Sequence, residues 1–257
     1  MRKTISSFLI VLTLLAGFPA LAAEEFIHPP KQDWSFEGPF GTFDRAELQR
    51  GFQVYKQVCA ACHSMNYLSY RNLVDIGLSE LEVKAIAAEY MVKDGPNDEG
   101  EMFERPALAS DRFKAPFQNE KAARASNGGA LPPDLSLITK ARHDGPNYVY
   151  AILTGYVTPP ADFKLGQNMN YNKFFPGHQI AMPPPLNSEG QVAYTDVKAT
   201  PEQMAHDVTA FLTWAGEPKM ELRKQMGIKV IIFLTIFAAI MYAVKRKIWR
   251  GLEQYED

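Results

Sequence analysis

Two cysteines and a histidine form the most specific chemical motif in the chain. Cys59 and Cys62 are the only cysteines in the 257 residues, and they lie in the segment Cys59-Ala60-Ala61-Cys62-His63. The spacing C-x-x-C-H is typical of covalent haem attachment. In that chemistry the thiols of Cys59 and Cys62 add to the haem vinyl groups as thioethers, and the adjacent His63 reaches the iron as its proximal ligand. The motif therefore predicts one covalently bound c-type haem.

Two other kinds of site use closely spaced cysteines. A C-x-x-C redox pair is expected near a β-α-β pattern, whereas the residues that precede Cys59 have a helical pattern. A structural zinc site needs four ligands, with a second Cys or His pair at close spacing, and the sequence contains no such pair. A thiol oxidoreductase stays as an alternative, because it would leave both thiols free and carry no haem.

Two amphipathic helices are predicted to enclose the motif. The first starts at Asp44 and Glu47, and the second starts at a capping box formed by Thr200 and Gln203 and stops at Gly216. Their apolar faces contain Leu48, Gly51, Phe52, Tyr55 and Cys59 in the first helix, and Met204, Val208, Phe211, Leu212 and Ala215 in the second. Glycine within a helix costs about 1 kcal/mol relative to alanine. A close crossing of the two helices would explain Gly51, although a tolerated glycine fits nearly as well.

The remaining composition favours a mainly α fold with long proline-rich loops. A capping box at Ser79 and Glu82 begins a predicted helix over Ser79–Val92, and apolar spacing predicts another over Asn147–Thr154. Proline is frequent, with 18 residues, and is densest in the middle third of the chain, which indicates ordered loops and not a regular sheet. The net charge of −2 gives no basic surface that would favour nucleic acid.

Both ends of the chain carry membrane-related patterns. Residues 1–23 have a basic start, a short apolar core and small residues at the end, which predicts a cleaved signal peptide. Gly227–Val244 is apolar over 18 residues, or about 27 Å of helix, and basic residues flank it on both sides. Because the basic residues on the two sides of this stretch are nearly balanced, the positive-inside rule does not decide the orientation. The predicted signal peptide decides it. We expect a signal peptide at 1–23, an exported domain at 24–222, an anchor helix at 223–247 and a short cytoplasmic tail at 248–257.

The second axial ligand of the iron has several candidates. The candidates are four histidines besides His63 and nine methionines besides the initiator. The histidines are His28, His143, His178 and His206. Met182 is favoured because three prolines follow it and stiffen its loop, and His178 is the next choice. His28 is expected to be solvated, and His206 to lie at the surface. The haem propionates need a cationic partner, and either Arg124 or Arg142 would serve.

Five longer stretches resemble the cytochrome c1 family of ubiquinol–cytochrome c oxidoreductase. They are CAACHSMNYLSYRNLV (59–74), ARASNGGALPPDLSLI (123–138), ARHDGPNYVYAILTGY (141–156), FFPGHQIAMPPPL (174–186) and DVTAFLTWAGEP (207–218). With the anchor, they cover most of residues 43–250. The resemblance implies a cytochrome c-like haem domain with one C-terminal transmembrane helix, and the cleavable signal peptide implies the bacterial form.

The resemblance also implies roles for single residues. Met182 matches the axial methionine of the family, which raises the iron's reduction potential relative to bis-histidine ligation. Arg142 matches an arginine that pairs with a haem propionate. Tyr148 and Pro133 match residues that line the haem pocket. Some bacterial members have an extra disulfide in the loop before the methionine, and the absence of further cysteines here leaves the stiffness of residues 162–177 open.

The expected partners follow from the same resemblance. The haem would take one electron from the Rieske iron–sulfur protein and pass it to a soluble or membrane-tethered cytochrome c, beside cytochrome b and lipid in a dimeric complex. The haem domain would face the periplasm, and the C-terminus the cytoplasm, of a bacterial inner membrane. The subunit would make no substrate bonds of its own. An acidic run within residues 94–104 would attract basic acceptors, unless it is only a solvated loop.

Two further functions are compatible with the same haem motif. A free-standing tethered cytochrome c would carry electrons without cytochrome b or the Rieske protein beside it. A haem sensor would need an open or easily displaced sixth position on the iron. Both are distinguished from the family function by the partners that purify with the protein and by the ligand set of the haem.

Overall fold

The computed structural model describes residues 27–250, which are mainly helical. The α-helices are α1 (Arg45–Gln57), α2 (Glu80–Ala88), α3 (Glu120–Ser126), α4 (Gly145–Thr154), α5 (Pro201–Gly216) and α6 (Met220–Trp249). The 3-10 helical segments in this range are Cys59–Ala61, Tyr70–Ile76 and Pro176–His178. Two antiparallel pairs complete the fold, β1 (Met91–Asp94) with β2 (Phe103–Pro106), and β3 (Asn170–Tyr171) with β4 (Gln179–Ile180). The predicted mainly α fold with long loops is confirmed, whereas the predicted signal peptide lies outside the described residues.

Helices α1 and α5 cross at the glycine that the sequence singled out. A Cβ atom built on Gly51 would lie 2.0 Å from the carbonyl oxygen of Asp207 and 2.7 Å from the Cβ of Phe211. No side chain fits in that space. Around the crossing, the ring of Phe211 packs on Phe52 and Tyr55, with ring centroids 5.7 and 5.9 Å apart. Gly51 is therefore required by the close approach of the two backbones, and the crossing prediction is confirmed.

The starts of α1 and α2 follow the predicted capping. The carboxylate of Asp44 accepts hydrogen bonds from the backbone N–H groups of Ala46 (2.8 Å) and Glu47 (3.4 Å). At α2, Ser79 and Glu82 satisfy each other's backbone N–H groups in a reciprocal capping box. These local contacts provide partners for backbone groups that a helix start leaves without one.

The start of α5 corrects one prediction. Thr200 Oγ1 accepts a hydrogen bond from the N–H of Gln203 (3.1 Å), as a capping residue should. The Gln203 side chain does not return to Thr200 but donates to the buried carboxylate of Asp207 (3.0 Å). The reciprocal capping box predicted here is wrong in its second half, because a buried carboxylate at the helix crossing attracts the amide more strongly.

Helix α2 is shorter than its sequence pattern predicts. It ends at Ala88, and Met91 and Val92 instead belong to β1. Arg105 of β2 lies opposite Val92 and ion-pairs with Asp94 and with Asp111, which cross-links the hairpin. The predicted extension of the helix to Val92 is therefore wrong, because the hairpin pairs the last residues of that range.

The segment before α1 belongs to the core. Trp34, Phe36 and Phe43 are all buried. The Trp34 ring stacks on His206 of α5 at a centroid distance of 4.4 Å, and Phe36 packs on Phe43 at 5.0 Å. His206 is thus half-buried between elements, and the prediction that it lies at the surface is wrong.

Helix α6 is the predicted anchor. It is 30 residues long, and its most apolar window has a mean hydropathy of 2.3 with no residue of that window buried against the rest of the chain. Its first turn contacts the start of α1, since Glu221 ion-pairs with Arg45 at 2.8 Å. The first turn of the membrane-spanning helix is therefore bonded to the rest of the domain.

Candidate functional site

The two cysteines and the histidine lie on one tight turn at the end of α1. Helix α1 gives way at Val58 to a single 3-10 turn, Cys59–Ala61. The carbonyl oxygen of Cys59 accepts hydrogen bonds from the N–H groups of Cys62 (3.1 Å) and His63 (2.9 Å). Both thiols are free, with Cys59 half-buried and Cys62 exposed. The turn thus offers two unpaired thiols and an imidazole within five residues, which is the donor set that covalent haem attachment requires.

The His63 ring is held by the loop that the sequence assigned to the haem pocket. Its Nδ1 lies 2.7 Å from the carbonyl oxygen of Pro133. Since a carbonyl only accepts, Nδ1 carries the proton and donates it, which leaves Nε2 as the nitrogen able to bind a metal. Burial lowers the pKa of His63, while the bond to Pro133 and the charge of Asp134 oppose that shift. The ring is therefore neutral at neutral pH, as an iron ligand must be, and the residues present fit a haem.

Asp134 connects the haem-binding motif to this loop, and sequence analysis did not identify it. Its carboxylate accepts hydrogen bonds from the Ser64 hydroxyl (2.7 Å) and from the N–H groups of Asn66 (2.8 Å) and Ser136 (2.9 Å). Burial raises the pKa of Asp134, but these hydrogen bonds outweigh it and hold the pKa below its usual value. The Pro133-Asp134 dipeptide, with Ser136 two residues on, is the turn signal from which this role was recognisable.

The environment of Cys59 argues against thiol redox chemistry. Burial, together with the neighbouring Cys62, raises the pKa of the Cys59 thiol to about 12. Disulfide oxidoreductases instead depend on a thiolate with a lowered pKa. The Cys59 thiol therefore lacks the electrostatics of a redox nucleophile, and this weakens the case for a thiol oxidoreductase.

The backbone of Met182 is pinned from two sides. Its carbonyl oxygen accepts hydrogen bonds from the Tyr156 hydroxyl (3.0 Å) and from the side chain of Asn170 (3.4 Å). The half-buried Met182 follows closely after β4 and precedes the run of three prolines. These contacts restrict the position from which the thioether extends, as a fixed axial ligand requires.

The loop of residues 162–177 is stiffened without a disulfide. Asn172 is completely buried, and its side chain donates to the Ile152 carbonyl (2.8 Å) and accepts from the Phe174 N–H (3.1 Å). The Tyr171 ring packs against His178, with centroids 5.5 Å apart. This contact places His178, the second choice for the axial ligand, in an aromatic cluster next to β3. Sequence analysis did not identify Asn172, because a single asparagine in a long loop carries no periodic signal.

Tyr148 and Arg142 lie close together beside the start of α4. Tyr148 is buried, and burial raises its pKa while the charge of Arg142 partly opposes the shift. Arg142 is exposed, and its guanidinium donates to the carbonyl of Ala141 (3.3 Å). Arg124, the other propionate candidate, donates to the carbonyl of Gly129 (3.1 Å). Arg124 is thus engaged within its own loop, while Arg142 adjoins the predicted pocket residue Tyr148.

A second ionisable cluster holds α1 and α5 together. His206 lies 2.7 Å from the carboxylate of Glu47, and Asp207 is fully buried. Arg50 binds Asp207 through Nε at 2.9 Å and Nη2 at 3.1 Å. The guanidinium already neutralises the buried carboxylate, so this cluster fits a structural role at the crossing.

Comparisons with known proteins point in one direction. Residues 34–252 match the Cytochrome C1 family. "Cytochrome c1 1, heme protein, mitochondrial" of Arabidopsis thaliana is 54% identical over 94% of this chain and 80% of its own length. "Cytochrome c1" of Rhodospirillum rubrum is 45% identical over 94% of this chain and 95% of its own. "Cytochrome b/c1" of Bradyrhizobium diazoefficiens is 50% identical over 90% of this chain, which spans only 37% of that longer protein.

Proposed function

The chain belongs to the cytochrome c1 family, and on that premise we propose that it is the haem-bearing electron-transfer subunit of a membrane cytochrome b–c1 complex. The observation that supports this function most directly is the hydrogen bond from His63 Nδ1 to the Pro133 carbonyl. It prepares the imidazole beside the two free thiols for metal ligation through Nε2. A bound haem c supplies a one-electron couple at its iron, and the chain's own residues determine its potential, burial and access.

Four residues are proposed to hold the haem. Cys59 and Cys62 would form the covalent links, while His63 and Met182 would bind the iron. These last two residues come from distant parts of the chain, and each is held by a different loop: His63 through the Pro133 carbonyl, and Met182 through Tyr156. Because both donors are restrained by the protein, they would change little when the iron gains or loses an electron.

The pocket residues have supporting roles in this proposal. Arg142 is exposed beside the buried Tyr148, so its charge is available to a propionate at the pocket edge. Pro133 acts through its main-chain carbonyl, and its fixed φ stiffens the loop that carries this acceptor. Asp134 then fixes the loop to the backbone that follows His63.

The partners of the electron transfer are proposed from the family. The donor would be the Rieske iron–sulfur protein and the acceptor a soluble or tethered cytochrome c, with cytochrome b beside the anchor in a dimeric complex. The exposed acidic residues of the β1–β2 hairpin support a basic acceptor. They are Asp98, Glu99, Glu101 and Glu104, whereas Asp94 is neutralised by Arg105. Attraction to such a surface should weaken as salt increases.

The membrane topology is also proposed. Helix α6 anchors the protein to a bilayer, and the predicted signal peptide at 1–23 would export the domain to the periplasm of a bacterial cell. The domain would then extend over 24–222 and the anchor over 223–247, with residues 248–257 as a short cytoplasmic tail. Protease digestion of intact spheroplasts tests this orientation, because it should remove the haem domain and spare the tail.

A rapid-mixing experiment on the purified membrane complex tests the function. A quinol substrate should reduce the haem of this chain, and oxidised basic cytochrome c added next should reoxidise it, more slowly at high salt. The purified complex should contain cytochrome b and the Rieske protein. A haem that purifies without cytochrome b would instead favour a free-standing tethered cytochrome c. A haem that quinol cannot reduce in the complete complex would contradict the proposed function.

A further inference from the structure

An exposed aromatic residue lies at the tip of a tight turn close to the anchor. We name residues 37–41 the leader turn. Phe40 at its tip is 80% exposed. The turn depends on glycine, because a Cβ on Gly41 would lie 2.0 Å from the Glu37 carbonyl oxygen. The N–H of Thr42 donates to the Ser35 carbonyl (3.1 Å) and closes the turn at its base.

Both ends of the leader turn are fastened to the first turns of α6. The ammonium group of Lys224 donates to the carbonyl oxygens of Phe36 (2.6 Å) and Gly41 (3.0 Å). Beside this contact, the carboxylate of Glu221 accepts from the N–H of Phe43 (2.8 Å). These contacts bind the leader turn to the anchor helix, so its height above the membrane is set by the helix.

The position of Lys224 gives that height. It precedes Gly227, the first residue of the apolar stretch, by three residues, which is about 4.5 Å along a helix. The headgroup region on each side of the hydrocarbon core is roughly 5 to 7 Å thick. The leader turn therefore lies level with the headgroup region and not above it.

The helix surface at this level already suits the membrane interface. Leu222 and Met226 precede the apolar stretch and are 64% and 59% exposed. The charges at the same level are paired, since Lys224 is bound to two carbonyls and Arg223 lies 2.5 Å from Glu217. Apolar exposed side chains with paired charges are compatible with partial withdrawal from water.

From these observations we propose that the leader turn is a second membrane contact of the domain, with Phe40 inserted at the boundary between lipid headgroups and acyl chains. Phenylalanine is among the side chains that interfacial segments place at the boundary between headgroups and acyl chains. Lipid is the occupant that the position supports, because the turn adjoins a helix whose apolar window is unburied in the chain. A single aromatic tip also offers far less area than a stable protein interface needs. The proposal depends on the anchor and not on the haem.

The consequence is a domain held to the bilayer at two points. Helix α6 alone would leave the domain free to rotate and tilt about one axis. A wedge beside the helix, rigidly bonded to it, would limit that tilt and keep the haem domain at one orientation to the membrane surface.

A fluorescent label at position 40 tests the contact. Because Cys59 and Cys62 are the only native cysteines and would be consumed by the haem, a Phe40→Cys variant provides a unique thiol. The assembled complex would be labelled with the polarity-sensitive dye NBD and placed in lipid nanodiscs. Met102→Cys is the matched control, since Met102 is 62% exposed and lies in the acidic β1–β2 hairpin, whose charges disfavour entry into lipid.

The proposal predicts a blue-shifted emission at position 40 relative to position 102. It also predicts that nitroxide-bearing phospholipids remove most of the emission at position 40 and little at position 102. Emission at position 40 equal to the control would show a water-exposed turn and overturn the proposal. A blue shift that lipid nitroxides do not quench would show a covering protein, such as another subunit, and would overturn it equally. If Phe40→Cys fails to assemble, a label at the neighbouring exposed Pro39 must give the same result.

Discussion

At the scale of single residues, the proposed haem ligands are restrained by contacts with other parts of the chain. His63 is oriented by a main-chain carbonyl of Pro133, which a side-chain substitution does not remove directly. Met182 is held at its own carbonyl by Tyr156, in a segment that prolines stiffen. Protein donors fixed before the metal arrives keep the ligand geometry constant when the charge on the iron changes. Each ligand therefore has its own test.

Replacing Met182 with leucine should lower the reduction potential of the haem sharply. Leucine fills a similar volume but offers no sulfur, and thioether ligation is what raises the potential. A redox titration of the purified complex measures the effect. Met169→Leu, a change at an exposed methionine of the preceding loop, should leave the potential unchanged. An unaltered potential in Met182→Leu would mean that another residue is the ligand.

Replacing Arg142 with glutamine should also lower the potential, by less than the loss of Met182. Removing a positive charge near a propionate favours the ferric state, which carries one more positive charge. Arg124→Gln is the matched control, because Arg124 is exposed and donates within its own loop. If the two arginine variants gave equal shifts, the assignment of the propionate partner to Arg142 would fail.

At the scale of elements, the crossing of α1 and α5 supports the turn that carries the cysteines. The crossing combines a backbone contact at Gly51, aromatic packing and the buried Arg50–Asp207 pair. The haem motif lies two residues after the end of α1, so a displacement of that helix moves the thiols. Stability at the crossing and haem attachment are thus linked.

Gly51→Ala should destabilise the domain by about 3 kcal/mol or more, because its methyl group would overlap the Asp207 carbonyl oxygen. The midpoint of denaturant unfolding of the haem-loaded protein measures this. Gly216→Ala is the control, since a Cβ there would meet nothing nearer than 3.5 Å. Equal midpoints for the wild type and Gly51→Ala would contradict the close crossing.

The pair formed by His206 and Glu47 should make stability depend on pH. The hydrogen bond and ion pair with Glu47 raise the pKa of His206 above its ordinary value, against the effect of burial. A raised pKa in the folded state stabilises the fold fully at low pH, and this contribution is lost as pH rises through the folded pKa. The wild type should therefore lose stability relative to His206→Gln as the pH rises from about 6.5, the ordinary pKa of histidine, into the mildly alkaline range.

Unfolding midpoints across that range would measure the difference between His206→Gln and the wild type. The exposed His28, which lies 3.3 Å from Asp144, provides the control. Because the His28 side chain is 74% exposed, its ion pair contributes little to stability, and His28→Gln should follow the pH dependence of the wild type. If His206→Gln and the wild type show parallel pH dependences, the ion pair between His206 and Glu47 makes no pH-dependent contribution to stability.

Local patterns predicted much of the fold, and long-range contacts explain what they missed. Capping at Asp44, apolar spacing and Gly51 identified α1 and its crossing, because these signals act within one or two turns. The burial of Trp34 against His206 joins residues far apart in sequence and leaves no periodic trace. The site followed the same division, since C-x-x-C-H is a local motif while Asp134 acts across the chain on Ser64 and Asn66.

At the scale of the whole molecule, one helix connects an electron-transfer domain to a bilayer. Helix α6 is continuous from Met220 to Trp249, and its first turns are bonded to the segment before α1 through Glu221 and Lys224. No flexible linker therefore separates domain and anchor within residues 27–250. A rigid join suits a subunit that stays at a fixed position in its complex while its redox partners come to it.

The central claim is that a haem is bonded to Cys59 and Cys62 and ligated by His63. The most direct measurement is a pyridine haemochrome spectrum of the purified protein, combined with mass spectrometry of the peptide that contains both cysteines. A covalently bound haem should give a c-type spectrum and a peptide heavier by one haem, with neither thiol reactive to alkylation. A peptide without added mass, alkylated at both sulfur atoms, would contradict it.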